Sequence, residues 1–243
     1  MFPVVFQLGP ISIYSYGLMF AVAVIVCTLL MATDGRRLGM AEDFVYDLMF
    51  WLILSGVIGA RLFFVVLNAE YFLDNPVEII MLQHGGLAWQ GGFIAAFIVL
   101  FIFAKRTKKP VLWLLDFVAP YAALGQAIGR IGCFLNGCCY GKHADWGIYC
   151  PVHADRLHPS QLYCSAGLVI VFFILKEYQK QQPAAGRVFC VYVLLAAALR
   201  FVVQFFRADA PPILGELTIF HLVSLGLFFC ALVGFGYLAR GKK

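Results

Sequence analysis

With 243 residues, of which 63% are hydrophobic and only 13% charged, and a mean hydropathy of +0.88, the chain is excluded from the soluble globular class. Its net charge of +5 reads as membrane topology and attraction to anionic lipid, and no stripe of interleaved basic and aromatic residues points to nucleic acid. An all-α, polytopic membrane protein is expected.

In chain order, the first apolar run, near 12–33, follows an uncharged, proline-containing start with no basic region and no small-residue cleavage site, so no removable signal peptide is expected. Further runs lie near 44–67, 87–104, 112–135, 162–176, 187–206 and 217–239. Most approach the roughly 17 to 25 residues that cross about 30 Å of hydrocarbon. They predict seven transmembrane helices in one membrane domain, 1–243. The fifth is short, and Gly125, Gly129 and Gly132 leave the fourth open to a broken or re-entrant path.

Orientation follows from the basic residues. With the N-terminus outside and the C-terminus cytoplasmic, twelve of the 18 Lys and Arg fall on the cytoplasmic side, including Arg36, Arg37, the 105–109 cluster, Lys176, Lys180 and Arg187. The opposite loops, near 68–86, 136–161 and 207–216, hold most of the other polar residues, which puts the active face outside. Gly85, Gly86, Gly91 and Gly92 suit an irregular chain near the interface. Nothing in the pattern supports the inverted repeats of transporters.

Three arginines, Arg61, Arg130 and Arg200, lie within the apolar runs. An ionised side chain at bilayer depth costs about 2.5 to 3.5 kcal/mol on insertion scales, so such residues face a protein interior or a wet cavity and mark functional sites. The alternative is that each sits near a helix end and snorkels to water. Guanidinium matches phosphate in a bidentate fork, so a phospholipid headgroup is the natural ligand.

The strongest local pattern is Gly129-Arg130-Ile131-Gly132-Cys133-Phe134-Leu135-Asn136-Gly137-Cys138-Cys139-Tyr140-Gly141, followed by Leu157-His158-Pro159-Ser160-Gln161-Leu162-Tyr163. These segments resemble the phosphatidylglycerol:prolipoprotein diacylglyceryl transferases, whose signature reads Gly-Arg-x-Gly-Asn-Phe-x-Asn-Gly-Glu and, later, His-Pro-Ser-Gln-Leu-Tyr-Glu. The likeness extends to Tyr16-Gly17-Leu18-Met19, to Gly59-Ala60-Arg61, to the stretch Gly85–Gly92 with Gln90, and to Arg200-Phe201-Val202-Val203-Gln204-Phe205-Phe206-Arg207.

The resemblance implies transfer of a diacylglyceryl group from phosphatidylglycerol to the lipobox cysteine thiol of a prolipoprotein signal peptide, with glycerol phosphate released. It also implies a bacterial plasma (inner) membrane enzyme with its site toward the outer face and no cofactor or metal. Arg130 and Arg200 correspond to the family's important arginines and are the candidates for phosphate binding and leaving-group stabilisation, with Arg61 and Arg207 in support. A preorganised cation at a departing anion favours the transition state over the ground state. Tyr16 corresponds to a functional tyrosine that can orient a phosphate oxygen or the incoming thiol. Asn136 and Gly137 keep the amide and turn of the signature, and His158 orders its loop.

At four positions where the family carries asparagine or glutamate this chain has Cys133, Cys138, Cys164 and Gln204, and Gln90 stands where many members carry histidine. The family's plausible general bases are therefore missing. Cys133 or Cys138 could act as base or nucleophile if neighbouring arginines lowered its pKa. Two alternatives stay open. One is transfer of a lipid group to a different acceptor through a cysteine intermediate, and the other is a non-catalytic protein that binds or transports phospholipid. A redox protein would need a thiol pair within about 7 Å between Cα atoms.

Among the remaining signals, Cys27, Cys190 and Cys230 read as small buried hydrophobes. A disulfide from Cys138 or Cys139 to Cys150, or a zinc set of Cys139, His143, Cys150 and His153, competes for the outer thiols. Asp47 and Asp116 read as interfacial, and His84 and His221 as surface or capping residues.

Overall fold

The computed structural model describes residues 4–8, 11–81, 85–208 and 211–240. The order of elements is a hairpin of β1 (Val4–Leu8) and β2 (Ile11–Tyr14), then α1 (Ser15–Arg37), α2 (Glu42–Leu67), α3 (Ala69–Asp74), a 3-10 turn at Pro76–Ile79, and α4 (Trp89–Thr107). There follow α5 (Val111–Asn136), a hairpin of β3 (His143–Cys150) and β4 (Asp155–Leu157), α6 (Ser160–Lys180), α7 (Arg187–Gln204), a short hairpin of β5 (Pro212–Leu214) and β6 (Leu217–Thr218), and α8 (Ile219–Arg240). The sheets among the described residues are all two-stranded and antiparallel.

Seven of the helices are long and apolar enough to cross a bilayer, and they coincide with the seven expected runs. Their outward faces carry large apolar side chains such as Phe93, Ile98, Leu227 and Val233, the distribution a lipid solvent demands. The fourth span, α5, is one continuous helix of 26 residues with Pro120 inside it, and is neither broken nor re-entrant. The fifth span, α6, runs past its apolar stretch because Ser160 and Gln161 join its first turn as fully buried residues.

The chain divides into two compact units, residues 28–114 and residues 1–27 with 115–243. In the first, α2 and α4 pack through glycine. A Cβ on Gly59 would stand 2.6 Å from the Gly91 carbonyl oxygen, and one on Gly92 would stand 2.8 Å from the Gly56 oxygen. Lipid tails are as apolar as leucine, so close backbone approach and van der Waals packing must hold such helices together. Gly91 and Gly92 thus serve helix packing inside α4, whereas Gly85 and Gly86, at φ of +80° and +82°, shape the irregular segment before it.

In the second unit α5 is the enclosed helix. Half of its span is buried, against 22% for α7 and 11% for α8. Ala119, Ala123, Val171, Leu175 and Val188 form one core cluster, and Ala127, Cys164, Leu168 and Val203 form another. Asp116, expected at the interface, is buried instead: its carboxylate accepts the backbone N–H groups of Gly186 at 2.6 Å and Phe189 at 2.8 Å, capping the N-terminus of α7.

Gly91→Ala forces its new methyl against Phe63 and Gly59, while Gly56→Ala enters open space on the same helix pair. The expected outcome in a detergent unfolding assay is a loss of about 1 to 3 kcal/mol for the first. The second should stay within about 1 kcal/mol of the parent.

Candidate active site

The site is built on the C-terminal end of α5. Gly137 has φ of +76°, the left-handed conformation that only glycine adopts without strain. Its N–H donates to the Phe134 carbonyl at 3.2 Å, while the Cys138 N–H donates to the Cys133 carbonyl at 3.1 Å. These two bonds are the reciprocal pair of a Schellman cap, which explains the Asn-Gly dipeptide in the signature. The cap folds the chain back so that Cys138 returns over Cys133. Cys139 follows with φ of +60°, an uncommon conformation for a residue with a Cβ. As a result the sulfur atoms of Cys133, Cys138 and Cys139 all lie within 4.8 Å of one another.

The loop is pinned from two directions. Gln161 Nε2 donates to the Cys138 carbonyl at 2.8 Å, and Ser160 Oγ donates to the Cys139 carbonyl at 3.0 Å. Both side chains are at most 1% exposed, so neither carbonyl competes for water and the start of α6 fixes the path of the thiol loop. Beyond it, residues 140–142 run between two other segments. Gly141 N–H donates to His158 O at 3.2 Å, Lys142 N–H to Phe206 O at 2.8 Å, and Ala208 N–H to Tyr140 O at 3.4 Å. A Cβ on Gly141 would meet both the His158 and the Phe206 carbonyl, so this lacing requires glycine.

The lacing brings Arg207 to the thiols. Arg207 is 4% exposed and interacts with Cys139 both by hydrogen bond and by charge. Hydrogen bonds from Cys133 and Cys138, joined by the Arg207 charge, hold the Cys139 thiol far below the usual cysteine range. For Cys138 the hydrogen bond from Cys133 favours the thiolate, but its bond to Cys139, burial and the Cys139 charge outweigh this and push it up. The negative charge is thus favoured on Cys139, while the Cys138 thiol donates to the Cys133 carbonyl at 3.7 Å.

On the other side stands α1. A Cβ on Gly132 would stand 3.0 Å from Met19 Cβ and 3.4 Å from Tyr16 Cδ2, so glycine lets α1 approach α5. Tyr16 feels the charges of Cys133, Cys138, Cys139 and Arg130. Arg130, Cys133, Cys138 and Tyr16 thus gather around the end of α5.

Arg200 and Gln204 stand one turn apart at the end of α7, and Arg207 follows just beyond it. The Arg200 guanidinium lies 5.1 Å from the Phe220 ring centroid. Gln204 is 1% exposed, and neither amide atom finds a hydrogen-bond partner among the described residues. His221, expected at a surface or cap, is a fully buried cap. Its Nδ1 accepts the Thr218 N–H at 3.0 Å at the start of α8, while its ring packs between Phe201 and Phe205. His158 packs against Trp146 and Phe206, with Nδ1 3.3 Å from the Tyr163 hydroxyl.

Arg61 has a different occupation from the one expected. Its guanidinium donates to the carbonyls of Glu78, Ile79, Met81, Gly85 and Gly86 and packs on Phe72 with a centroid distance of 5.2 Å. All three nitrogens are engaged by backbone, which organises the segment ahead of α4. Gln90, on the first turn of α4, is exposed, and His84 lies outside the described residues. The zinc set weighed as one alternative, Cys139, His143, Cys150 and His153, does not assemble. His143 Nδ1 instead pairs with Asp155 at 2.9 Å, and His153 Nε2 faces the Gly137 carbonyl at 3.3 Å. None of the eight cysteines forms a disulfide. Cys27 is buried as expected, whereas Cys230 is exposed on α8. Ser160 and Gln161 complete the site although the sequence assigns them no role, and it offers Cys139 only for a disulfide or a zinc set. The adjacent Cys-Cys pair and the Ser-Gln step of the second motif were the available signals.

A multispanning membrane protein with thiols and guanidinium groups gathered at the end of its enclosed helix is thus defined. The family model described as prolipoprotein diacylglyceryl transferase matches residues 3–237, and the chain belongs to that family. The phosphatidylglycerol–prolipoprotein diacylglyceryl transferase of Clostridium tetani is 32% identical over 231 residues, covering 92% of each chain. The enzyme of that name from Bordetella parapertussis is 36% identical over 215 residues, covering 84% of this chain and 82% of its own. That of Oleidesulfovibrio alaskensis is 35% identical over 259 aligned positions, covering 99% and 94%.

A thiol with a depressed pKa stays ionised as pH falls through the ordinary cysteine range near about 8.5. Mass-mapped alkylation by iodoacetamide in chelator-containing buffer should therefore show Cys139 reacting at a rate that changes less than about twofold between about pH 8 and pH 6. The Cys138 rate should fall roughly tenfold per pH unit. Arg207→Gln removes a group that favours the Cys139 thiolate, and its profile should move toward that of Cys138.

Proposed function

We propose that this protein transfers a diacylglyceryl group from phosphatidylglycerol to the lipobox cysteine thiol of a prolipoprotein and releases glycerol phosphate. The observation that carries the reading is the family match across residues 3–237, together with the gathering of the signature residues Arg130 and Cys133 with Tyr16 and Arg207 at one end of α5.

The chemistry needs an electrophilic glyceryl carbon, a thiolate, and a cation for the departing phosphate. Arg130 and Arg200 bind the phosphodiester of the lipid and stabilise the charge that grows on its oxygen as the carbon–oxygen bond breaks. Tyr16 orients the headgroup beside the thiols. Arg207 balances the Cys139 thiolate, and Asn136 and Gly137 hold the turn. Gln204 offers a buried amide to the substrate, which would answer its unmatched atoms. Arg61, with its donors already committed to carbonyls, orders a loop and does not bind phosphate. The N-terminus lies outside, the basic loops lie in the cytoplasm, and the site opens to the outer face of the bacterial inner membrane, where the signal peptide presents its cysteine.

Purified protein in detergent with phosphatidylglycerol and a lipobox peptide should give a peptide carrying the diacylglyceryl mass. Arg130→Ala should lower kcat/KM by about 10²- to 10³-fold, the cost of removing one preorganised donor to a developing anion. A lipid adduct that accumulates on Cys139, with no modified peptide, would replace direct transfer with a cysteine intermediate. Lipid binding without glycerol phosphate release would reduce the protein to a phospholipid binder.

A further inference from the structure

The cysteine cluster has a geometry that the proposed reaction does not by itself require. Three sulfurs within 4.8 Å of one another stand on a backbone already fixed by a Schellman cap, by a left-handed residue at Cys139, and by the buried side chains of Ser160 and Gln161. Tetrahedral thiolate coordination of zinc, with bonds of about 2.3 Å, sets sulfurs about 3.8 Å apart. The cluster reaches that spacing by drawing in about 1 Å or less. Three protein ligands leave the fourth tetrahedral position open, as in catalytic zinc sites. Charge favours the same reading: three thiolates and a divalent cation sum to minus one, and Arg207, 4% exposed and hydrogen-bonded to Cys139, offsets it.

We propose that Cys133, Cys138 and Cys139 bind a thiophilic divalent cation of the zinc class, and that its fourth position takes the acceptor thiol. The inference rests on the transferase reading and deepens it by supplying what that reading lacks, a way to ionise the acceptor where two of the cysteines replace the acidic and amide positions of the family signature. A thiol that ligates such a cation is deprotonated outright, so no side-chain base is needed. The acceptor S–H gives its proton to water as the sulfur binds. The bound thiolate then attacks the glyceryl carbon. The sulfur–carbon bond forms as the carbon–oxygen bond breaks, and the electron pair leaves on the glycerol phosphate oxygen beside the arginines. The thioether product is a weaker ligand than a thiolate and departs.

The full-length protein, purified in detergent and stripped by a chelator, is titrated with Co²⁺ as a spectroscopic stand-in. One equivalent should produce a thiolate-to-cobalt charge-transfer band with tetrahedral d–d bands. Addition of a lipobox peptide should strengthen the band by about a third, as a fourth thiolate joins three, and the Cys→Ser peptide should not. Cys133→Ser, Cys138→Ser and Cys139→Ser should each weaken it, while Cys230→Ser, at an exposed position on α8, leaves it unchanged. Because a variant can fail to fold, the unaltered chain gives a second readout: bound Zn²⁺ should shield the three thiols from alkylation while Cys230 still reacts.

Stripping should lower diacylglyceryl transfer by about 10²-fold or more, the contribution of a positioned base, and Zn²⁺ should restore it. Absence of the band, absence of shielding, or a band indifferent to the peptide thiol overturns the proposal. Transfer that runs undiminished in stripped protein also overturns it and leaves the transferase reading standing. A peptide-dependent cobalt band with no transfer, stripped or loaded, upholds the site and sinks the transferase reading.

Discussion

The structure depends throughout on the hydrogen bonds that meet buried polar groups, because a medium without water makes an unanswered polar atom costly. Each awkward residue of the sequence is understood by finding what meets it. Arg61 is met by five carbonyls, Asp116 by the N–H groups that open α7, and the carbonyls of Cys138 and Cys139 by Gln161 and Ser160. Both polar atoms of the Gln204 amide are left unanswered among the described residues, and Gln204 lies between Arg200 and Arg207 in the sequence. In such surroundings an unmet polar group is an invitation to a ligand, and the same constraint that secures the scaffold marks the site.

Family membership and local chemistry bear on different parts of this protein. The family match covers residues 3–237, whereas the proposed chemistry turns on residues where the chain departs from the family signature. Cysteine at two signature positions exchanges hard oxygen and amide ligands for soft sulfur, and the neighbouring Cys139 makes a third. The substitutions share one surface, made by the end of α5. In the proposed reaction, a change of that kind leaves the arginines with the phosphate and alters the side that handles the acceptor.

The spans were legible because hydropathy over a helix length depends on local composition alone, and all seven runs became helices. The Schellman turn was legible in Asn136-Gly137, because left-handed backbone demands glycine. The role of Arg61 was not: its charge is visible in the sequence, but the carbonyls that meet it come 17 to 25 residues later, from backbone atoms that every residue carries alike. Asp116 was misjudged for the same reason, with its partners 70 and 73 residues away. The metal set drawn from Cys139, His143, Cys150 and His153 failed because linear spacing ignored the β3–β4 hairpin, where Asp155 takes His143. The closeness of Cys133 to Cys139 was hidden in the reversal of direction that Gly137 imposes.

The way the thiol loop is held also sets an order of assembly. The loop leaves the ribosome at the end of α5, but the groups that pin its carbonyls follow 21 and 23 residues later, and the strand of backbone that accepts Lys142 comes only with Phe206, after α7. A nascent chain that has inserted four spans therefore carries all three cysteines without their arrangement. The fifth span gives the loop its shape, and the segment after α7 brings the arginine. Reactive sulfur chemistry is thereby withheld until nearly the whole bundle has entered the bilayer.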